Sequence, residues 1–281
     1  MVNTLSFITG HPLTRDRPLS AIGRFVRWQV ESRLKHEVLF DWIEGARLAV
    51  RHGMTGATGN IYCGLHEFAD MSFLLHLLRP SDLFLDVGAN IGSYTVLASK
   101  VCGARTMAFE PDPGSAQSLR RNIALNDLQD VAQVCQFALG ATNAEASFTL
   151  GLDTMNHVVS APTEETRTVA VRRLEEVSGA SAPTLIKLDV EGYEEEVLQG
   201  AAATLGAPSL LAVQSELQSA GVENVLAGAG FKRAYYDPFS RTLSDTPGAR
   251  AAANALFVRR TEEVLKRVGS AAMREVLRVR L

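Results

Sequence analysis

Three carboxylates at the ends of apolar runs are the residues of this sequence best placed to do chemistry. Asp86 follows Leu83-Phe84-Leu85 and opens the turn Val87-Gly88-Ala89-Asn90-Ile91-Gly92. Glu110 follows Met107-Ala108-Phe109, 24 residues further on. Asp189 follows Leu185-Ile186-Lys187-Leu188 and leads into Val190-Glu191-Gly192-Tyr193. An apolar run, an acid, a glycine-bearing turn and a helix start is the order in which a parallel sheet presents groups to a ligand over its carboxyl ends.

The type of ligand follows from the acids. A dinucleotide fold holds a pyrophosphate on a helix N-terminus with three glycines of fixed spacing. Here Gly88 and Gly92 stand four apart with no third glycine to match, and Asp86 precedes the turn where it would repel a pyrophosphate. An acid in that place suits a ligand with a cationic part. S-adenosylmethionine has an ammonium, a sulfonium and no phosphate. Glu110 can accept hydrogen bonds from both ribose hydroxyls of its adenosine. Glu110 shared with NAD-type sites does not by itself discriminate; its combination with Asp86 does. Glu194, Glu195 and Glu196 read as acids at a helix N-terminus, where the dipole favours them.

The elements that must position these residues alternate regularly from residue 82 onward. Strands are expected at 82–87, 105–110, 131–138, 183–189 and 209–215, with helices at 91–102, 114–126, 193–204 and 219–228 between them. Residues 146–150 and 168–172 alternate enough for short strands. The last strands, 231–236 and 254–259, lack a crossover helix and should pair antiparallel. This is an α/β pattern: a mostly parallel sheet with helices on both faces. Upstream, 19–36 has helical spacing, 38–40 and 47–50 could form a hairpin about Glu44-Gly45, Gly53, Gly56 and Gly59 mark a loop, and 66–78 reads as a helix. Thr261 to Leu281 reads as an amphipathic helix. The expected division is an N-terminal extension over 1–63, a main domain over 64–260 and a C-terminal helix over 261–281.

Composition sets the class. The chain has 281 residues, 46% of them hydrophobic, enough for one large domain with appendages. Three cysteines without metal-type spacing argue against a disulfide framework and fit a reducing compartment, so a cytoplasmic location is expected, with no signal peptide. No apolar run is long enough to span a membrane. The net charge of −3 is uneven: residues 1–36 and 259–281 each carry +4, leaving −11 between them. Basic ends around an acidic body do not form a nucleic-acid face. They read as solvated helix faces, with docking on an anionic membrane or a partner as the sharper alternative.

Taken together, the motifs resemble the FkbM family of S-adenosylmethionine-dependent methyltransferases. The resemblance rests on Phe84 to Thr95, on Phe109-Glu110-Pro111, on Ile186 to Glu194 with Val197-Leu198 and Gly200-Ala201 after it, on Gly64-Leu65-His66-Glu67 upstream, and on Asn254 to Val258 as the last strand. It covers roughly residues 60–259, and the Asp189-to-Gly192 turn is its most specific part. It implies a Rossmann-like class I sheet of seven strands, the last antiparallel. It also implies methylation of a hydroxyl on a sugar, glycan or natural product, so the expected partner is a small-molecule or glycan acceptor. S-adenosylmethionine would be held by Glu67, Asp86, Gly88, Ala89, Asn90, Gly92, Tyr94, Glu110, Pro111 and Asp189, with Ala138 at the end of the third main strand.

Methyl transfer from a sulfonium mainly needs alignment, and an alcohol acceptor also benefits from a general base. Asp189, Glu191 and His157 are the candidates, His157 because it lies in the insertion where an acceptor could dock. Glu216 is a further carboxylate, but Gln214-Ser215-Glu216 puts the acid two residues beyond the expected strand-end position, which puts its pocket role in question. A divalent metal on Asp189 and Glu216 is possible by donor chemistry but not expected. Tyr193, Tyr235 and Tyr236 read either as acceptor-stacking groups or as half-buried structural residues. An NAD(P)-dependent oxidoreductase and a non-catalytic interaction protein on the same scaffold are the alternatives.

Overall fold

In the computed structural model the described residues are 2–149, 158–159, 166–177, 179–180, 182–247 and 254–281. The central sheet is built from β3 (Leu83–Val87), β4 (Arg105–Phe109), β5 (Ala132–Cys135), β10 (Leu185–Leu188), β11 (Ala212–Ser215), β12 (Lys232–Asp237), β13 (Thr242–Ser244) and β14 (Ala255–Val258). Its order is β13-β12-β14-β11-β10-β3-β4-β5. Five neighbours, β11-β10-β3-β4-β5, run parallel, and β14 is antiparallel to both β11 and β12. This is the expected α/β sheet with its last strand reversed, and β12 and β14 pair antiparallel as anticipated. It has eight strands rather than seven, because Thr242–Ser244, between the last two expected strands, adds an edge strand to β12.

β3 and β10 are buried at every residue, which is why they read as unbroken apolar runs rather than as alternating ones. Phe84, Ala108, Leu185 and Leu256 face one core layer. Leu85, Val87, Met107, Phe109, Ile186 and Phe257 face the other. The first layer is filled by α4 (Phe68–Leu77), by α5 (Ser93–Val96) with the wider i→i+5 turn that continues it over Leu97–Val101, by α6 (Pro113–Leu125) and by α10 (Thr261–Gly269). The second is covered by α7 (Glu194–Gln199), α8 (Ala202–Gly206) and α9 (Ala220–Gly228). Ile8 of α1 (Val2–Gly10) and Trp28 of α2 (Pro18–Leu34) join the first layer, so the N-terminal extension shares the core.

The expected hairpin is present as β1 (Val38–Asp41) and β2 (Arg47–Val50), with Glu44 and Gly45 both at positive φ in its turn. Four local expectations need correction. The glycine-marked loop at 53–59 is largely helix α3 (Thr55–Cys63). Gly59 serves close packing there, since a Cβ would lie 1.9 Å from Nδ1 of His66. The expected strand 131–138 is broken after Cys135. Ala138–Leu139 forms β6, which joins β7 (Ala144–Thr149), β8 (Val158–Val159) and β9 (Thr166–Arg172) in a separate four-stranded sheet. The helix at 193–204 divides into α7 and α8 at Gly200-Ala201.

The C-terminal helix over 261–281 is also wrong beyond Gly269. Glu275–Val276 (β15) and Val279–Arg280 (β16) form a hairpin whose turn holds Leu277 and Arg278 at positive φ. Burying Val276 and Leu281 in the core outweighs continuing a helix through Gly269.

Candidate active site

The chain order places the site. From β3 it runs outward to β4 and β5, then returns to β10 on the other side of β3. The crevice at that reversal, over the strand carboxyl ends, is where such sheets bind ligands. A cavity of about 300 Å³ lies there. Its walls include Glu67, Asp86, Gly88, Ala89, Asn90, Tyr94, Glu110, Pro111, Ala138, Asp189 and Glu191, eleven of the residues expected from the sequence. Gly92 is not among them: its α face packs on Leu119, where a Cβ would come within 2.4 Å of Cδ1. His157 lies outside the described residues.

Gly88 makes the crevice narrow. It sits at φ +79, and a Cβ there would lie 1.8 Å from the Asp189 carbonyl oxygen, so the two strand-end turns touch through backbone. The amides of Gly88 and Ala89 both donate to the Phe109 carbonyl at 3.0 Å, which ties the first turn to β4. Glu110 then braces the first turn and the turn that follows β4. One carboxylate oxygen accepts from the Asn90 amide and the other from the Asp112 amide, each at 2.8 Å. Each oxygen keeps a further lone pair for a ligand. Burial pushes the Glu110 carboxyl up to about 7 despite those two amides.

Asp86 is fully enclosed and accepts from the Thr95 hydroxyl at 2.6 Å. Burial raises its carboxyl to about 6, while Lys187 pulls the other way. Lys187 stands opposite Asp86 in the β3–β10 register, on the same sheet face. Its ammonium bonds the Asp189 carboxylate and lies 4.6 Å from the centre of the Tyr94 ring. Burial alone would lower it, but the carboxylates of Asp189, Glu67 and Asp86 outweigh that and hold it charged. Tyr94 in turn donates its hydroxyl to Glu67 at 2.6 Å, and Asn254 donates to the other Glu67 oxygen at 3.3 Å. Tyr94, Glu67 and Lys187 thus form one network spanning α5, the start of α4 and β10.

At the far side, Asp189, Glu191 and Glu216 each bring a carboxylate oxygen within 4.8 Å of the other two. Glu216 lines the cavity, and its amide donates to the Leu188 carbonyl at 3.0 Å, so its later position in sequence does not displace it. The Lys187 ammonium lowers Asp189 against the effect of its burial. Burial, and a hydrogen bond shared with Asp189, raise Glu216 to about 8. Near neutral pH one proton is therefore held between this pair, on Glu216. With that proton and the Lys187 ammonium in place, the trio's own charge is already largely balanced. Glu194 opens α7 as the helix-end acid expected, and it is also buried and accepts from the amides of Val190 and Gly192 at 3.1 Å, shaping the Asp189 turn.

Lys187 is the residue that sequence reasoning missed. Its signal was present: a lone cation inside an apolar strand. Phe137, Leu139 and Phe148, which give the cavity an apolar wall, carried no such signal because the small sheet brings them there. Tyr193 lines the cavity, whereas Tyr236 is buried with its hydroxyl 2.6 Å from Nδ1 of His76.

Residues 86–232 match the model of the methyltransferase FkbM domain. The chain belongs to this family. Among curated relatives, it is 32% identical over 148 residues to methyltransferase 1 of Beauveria bassiana, covering 43% of this chain and 59% of that protein. It is 29% identical over 144 residues to the hexuronic acid methyltransferase AglP of Haloferax volcanii, covering 50% and 59%. It is also 29% identical over 200 residues to the 31-O-demethyl-FK506 methyltransferase FkbM of Streptomyces tacrolimicus, covering 57% and 76%. The chain thus spans about three-fifths of the length of the first two relatives. Among solved structures, methyltransferase FkbM from Methylobacillus flagellatus aligns with a TM-score of 0.44 at 18% identity, over 65% of this chain and 44% of that one. The FkbM match begins at Asp86 and ends at the first residue of β12, so it contains every cavity-lining residue named above except Glu67.

Proposed function

We propose that this FkbM domain transfers a methyl group from S-adenosylmethionine to a hydroxyl of a sugar, glycan or natural product. The observation that carries the reading is the charge of the cavity. Seven acidic side chains line it (Glu67, Asp86, Glu110, Asp112, Asp189, Glu191 and Glu216), and among the described residues the proton on Glu216 and the ammonium of Lys187 offset only part of their charge. Such a wall repels a pyrophosphate and attracts a cationic ligand. This disfavours the dinucleotide alternative, and intact acids speak against a scaffold that has lost its ligand.

The residues present fit the donor. Glu110 has lone pairs left for two ribose hydroxyls, and Asp86 with Glu67 offers anionic partners to an ammonium. Gly88 to Asn90 leave backbone close to the crevice. S-adenosylmethionine supplies an activated methyl group on a sulfonium. The protein then has to align an acceptor hydroxyl and take its proton. The Asp189–Glu216 pair is the proton acceptor in this reading: once the pair has lost its shared proton, it can accept that of the acceptor hydroxyl. Lys187 holds Asp189 in place. The apolar wall of Phe137, Leu139 and Phe148 supports an acceptor with a carbon-rich face, and the hexuronic acid named for the Haloferax volcanii relative supports a sugar among the first acceptors to try.

Calorimetric titration with S-adenosylmethionine and with NADH separates the readings. Binding of the former and none of the latter is expected; tight NADH binding alone would sink the proposal. A panel of glycans, uronic acids and polyketides, scored for transfer of a labelled methyl group, then identifies the acceptor.

A further inference from the structure

The two basic ends of the chain differ in what their charge does. At the C-terminus three of the arginines are struts that tie the chain to itself. Arg259 donates to the carbonyls of Leu210 and Leu205, Arg267 binds Asp82 at 2.7 Å, and Arg274 binds Glu44 and the Val101 carbonyl. At the N-terminus α2 is different. Its packed face is Ala21, Trp28 and Ser32. The opposite face, at helical spacing, is Leu19, Val26, Val30 and Leu34, which are 83%, 53%, 52% and 80% exposed. The sequence pattern alone would have put Val26, Val30 and Leu34 inward with Ile22 and Phe25. Instead, an apolar stripe about 22 Å long faces solvent.

The stripe is bordered by cations. Arg27 lies on one side, exposed and pairing with Glu31 of its own helix at 3.1 Å. Arg33 lies on the other, reaching back to Gln29. Arg15, Arg17 and Lys35 are exposed at the two ends, against Asp16. Residues 1–36 carry +4 in all. We propose that α2 is a docking face for a membrane surface rich in anionic lipid headgroups, its Leu/Val stripe entering the headgroup–acyl boundary and its arginines meeting the headgroups. A helix with an apolar face between basic flanks lies in that plane, and basic residues near an anionic surface add to the attraction. Charge argues against a second copy as the occupant. Pairing two α2 stripes antiparallel, with Leu19 against Leu34, brings Arg27 beside Arg27 of the partner on the same side of the seam. The inference rests on no part of the methyl-transfer reading.

Flotation of the full chain with phosphatidylcholine vesicles, with and without 30% phosphatidylglycerol, tests it. At least tenfold more protein is expected to float with the anionic vesicles, and 0.5 M salt should reverse most of that excess. Leu19→Ser with Leu34→Ser, and separately Arg27→Gln with Arg33→Gln, should each lower binding at least fivefold with an unchanged melting curve. Met273→Ser, at an exposed apolar residue elsewhere, should leave it unaltered. Equal binding to both vesicle types, or α2 variants that bind like the parent, overturns the proposal. So does a dimer in sedimentation analysis that dissociates in Leu19→Ser/Leu34→Ser while the parent ignores vesicles, which would assign the stripe to a second copy.

Discussion

Lys187 is an ammonium enclosed by carboxylates and an aromatic ring, and its removal should be costly. Lys187→Met would leave the buried Asp86 and the half-buried Asp189 without their cation. Breaking such a pair costs about 3 kcal/mol, to be read as a drop in the urea midpoint with an unchanged slope; a midpoint like the parent's would show that the network is not under charge tension. Glu216 makes a separate prediction. Its carboxyl is raised to about 8 by burial and by the proton shared with Asp189. Under the proposed reaction kcat/KM should climb with pH until about 8 and level off. Glu216→Gln should lose that rise and at least tenfold of the plateau, while affinity for S-adenosylmethionine changes little. A variant that retains the parent's profile would move the proton acceptor elsewhere.

At the scale of elements, the crevice depends on two turns in backbone contact. Gly88→Ala would place a methyl against the Asp189 carbonyl and force an alanine to φ +79. The strain of such a backbone is of order 1–3 kcal/mol, and the turns must also part. Binding of S-adenosylmethionine should fall more than tenfold, with a loss of stability visible in thermal unfolding; unaltered binding would mean that the close approach is not what shapes the site. The polar row beneath the cavity is likewise a property of paired strands. Register sets Gln214, Lys187 and Asp86 side by side across β11, β10 and β3. No one strand reveals that row, although each strand displays its own member of it.

For the whole molecule, the enclosed acids make stability depend on pH. Asp86 rises from 3.8 to about 6 and Glu110 from 4.5 to about 7, in each case chiefly through burial. An acid raised in the folded state holds its proton there more firmly than in the unfolded chain. Its contribution is therefore full below pH 4 and is lost as pH climbs through 6 to 7. In the ligand-free protein the difference in Tm between parent and the Asp86→Asn/Glu110→Gln variant should shift against the parent from pH 5 to pH 8. A cationic ligand favours the ionised acids, so S-adenosylmethionine should bind more tightly over the same range and release protons, measurable as a buffer-dependent enthalpy. A difference in Tm that stays constant with pH would contradict the burial argument.

How far the sequence could be read follows from the range of each interaction. β3, β4 and β10 were legible because both faces of each are buried and the strand is apolar from end to end. The strand-end acids Asp86, Glu110 and Asp189 were legible because a charge closing an apolar run has few other reasons to stand there. α3 and the C-terminal hairpin were not. Gly59 suits a helix only because His66 packs on it, and Val276 and Leu281 turn inward only because a core is there to receive them. The stripe on α2 misled for the same reason: helical spacing tells which residues share a face, not which face meets the protein.

The sequence by itself determined the sheet, its acidic crevice and the family, since these are written in local pattern and in short motifs. Tertiary structure alone decided that Lys187 lies among the carboxylates, that Glu216 reaches Asp189, and that Arg259, Arg267 and Arg274 are struts while α2 keeps an exposed face. The reason is physical. Burial, and the pairing of charges within it, is a property of what surrounds a residue, and residues distant in the chain supply most of those surroundings.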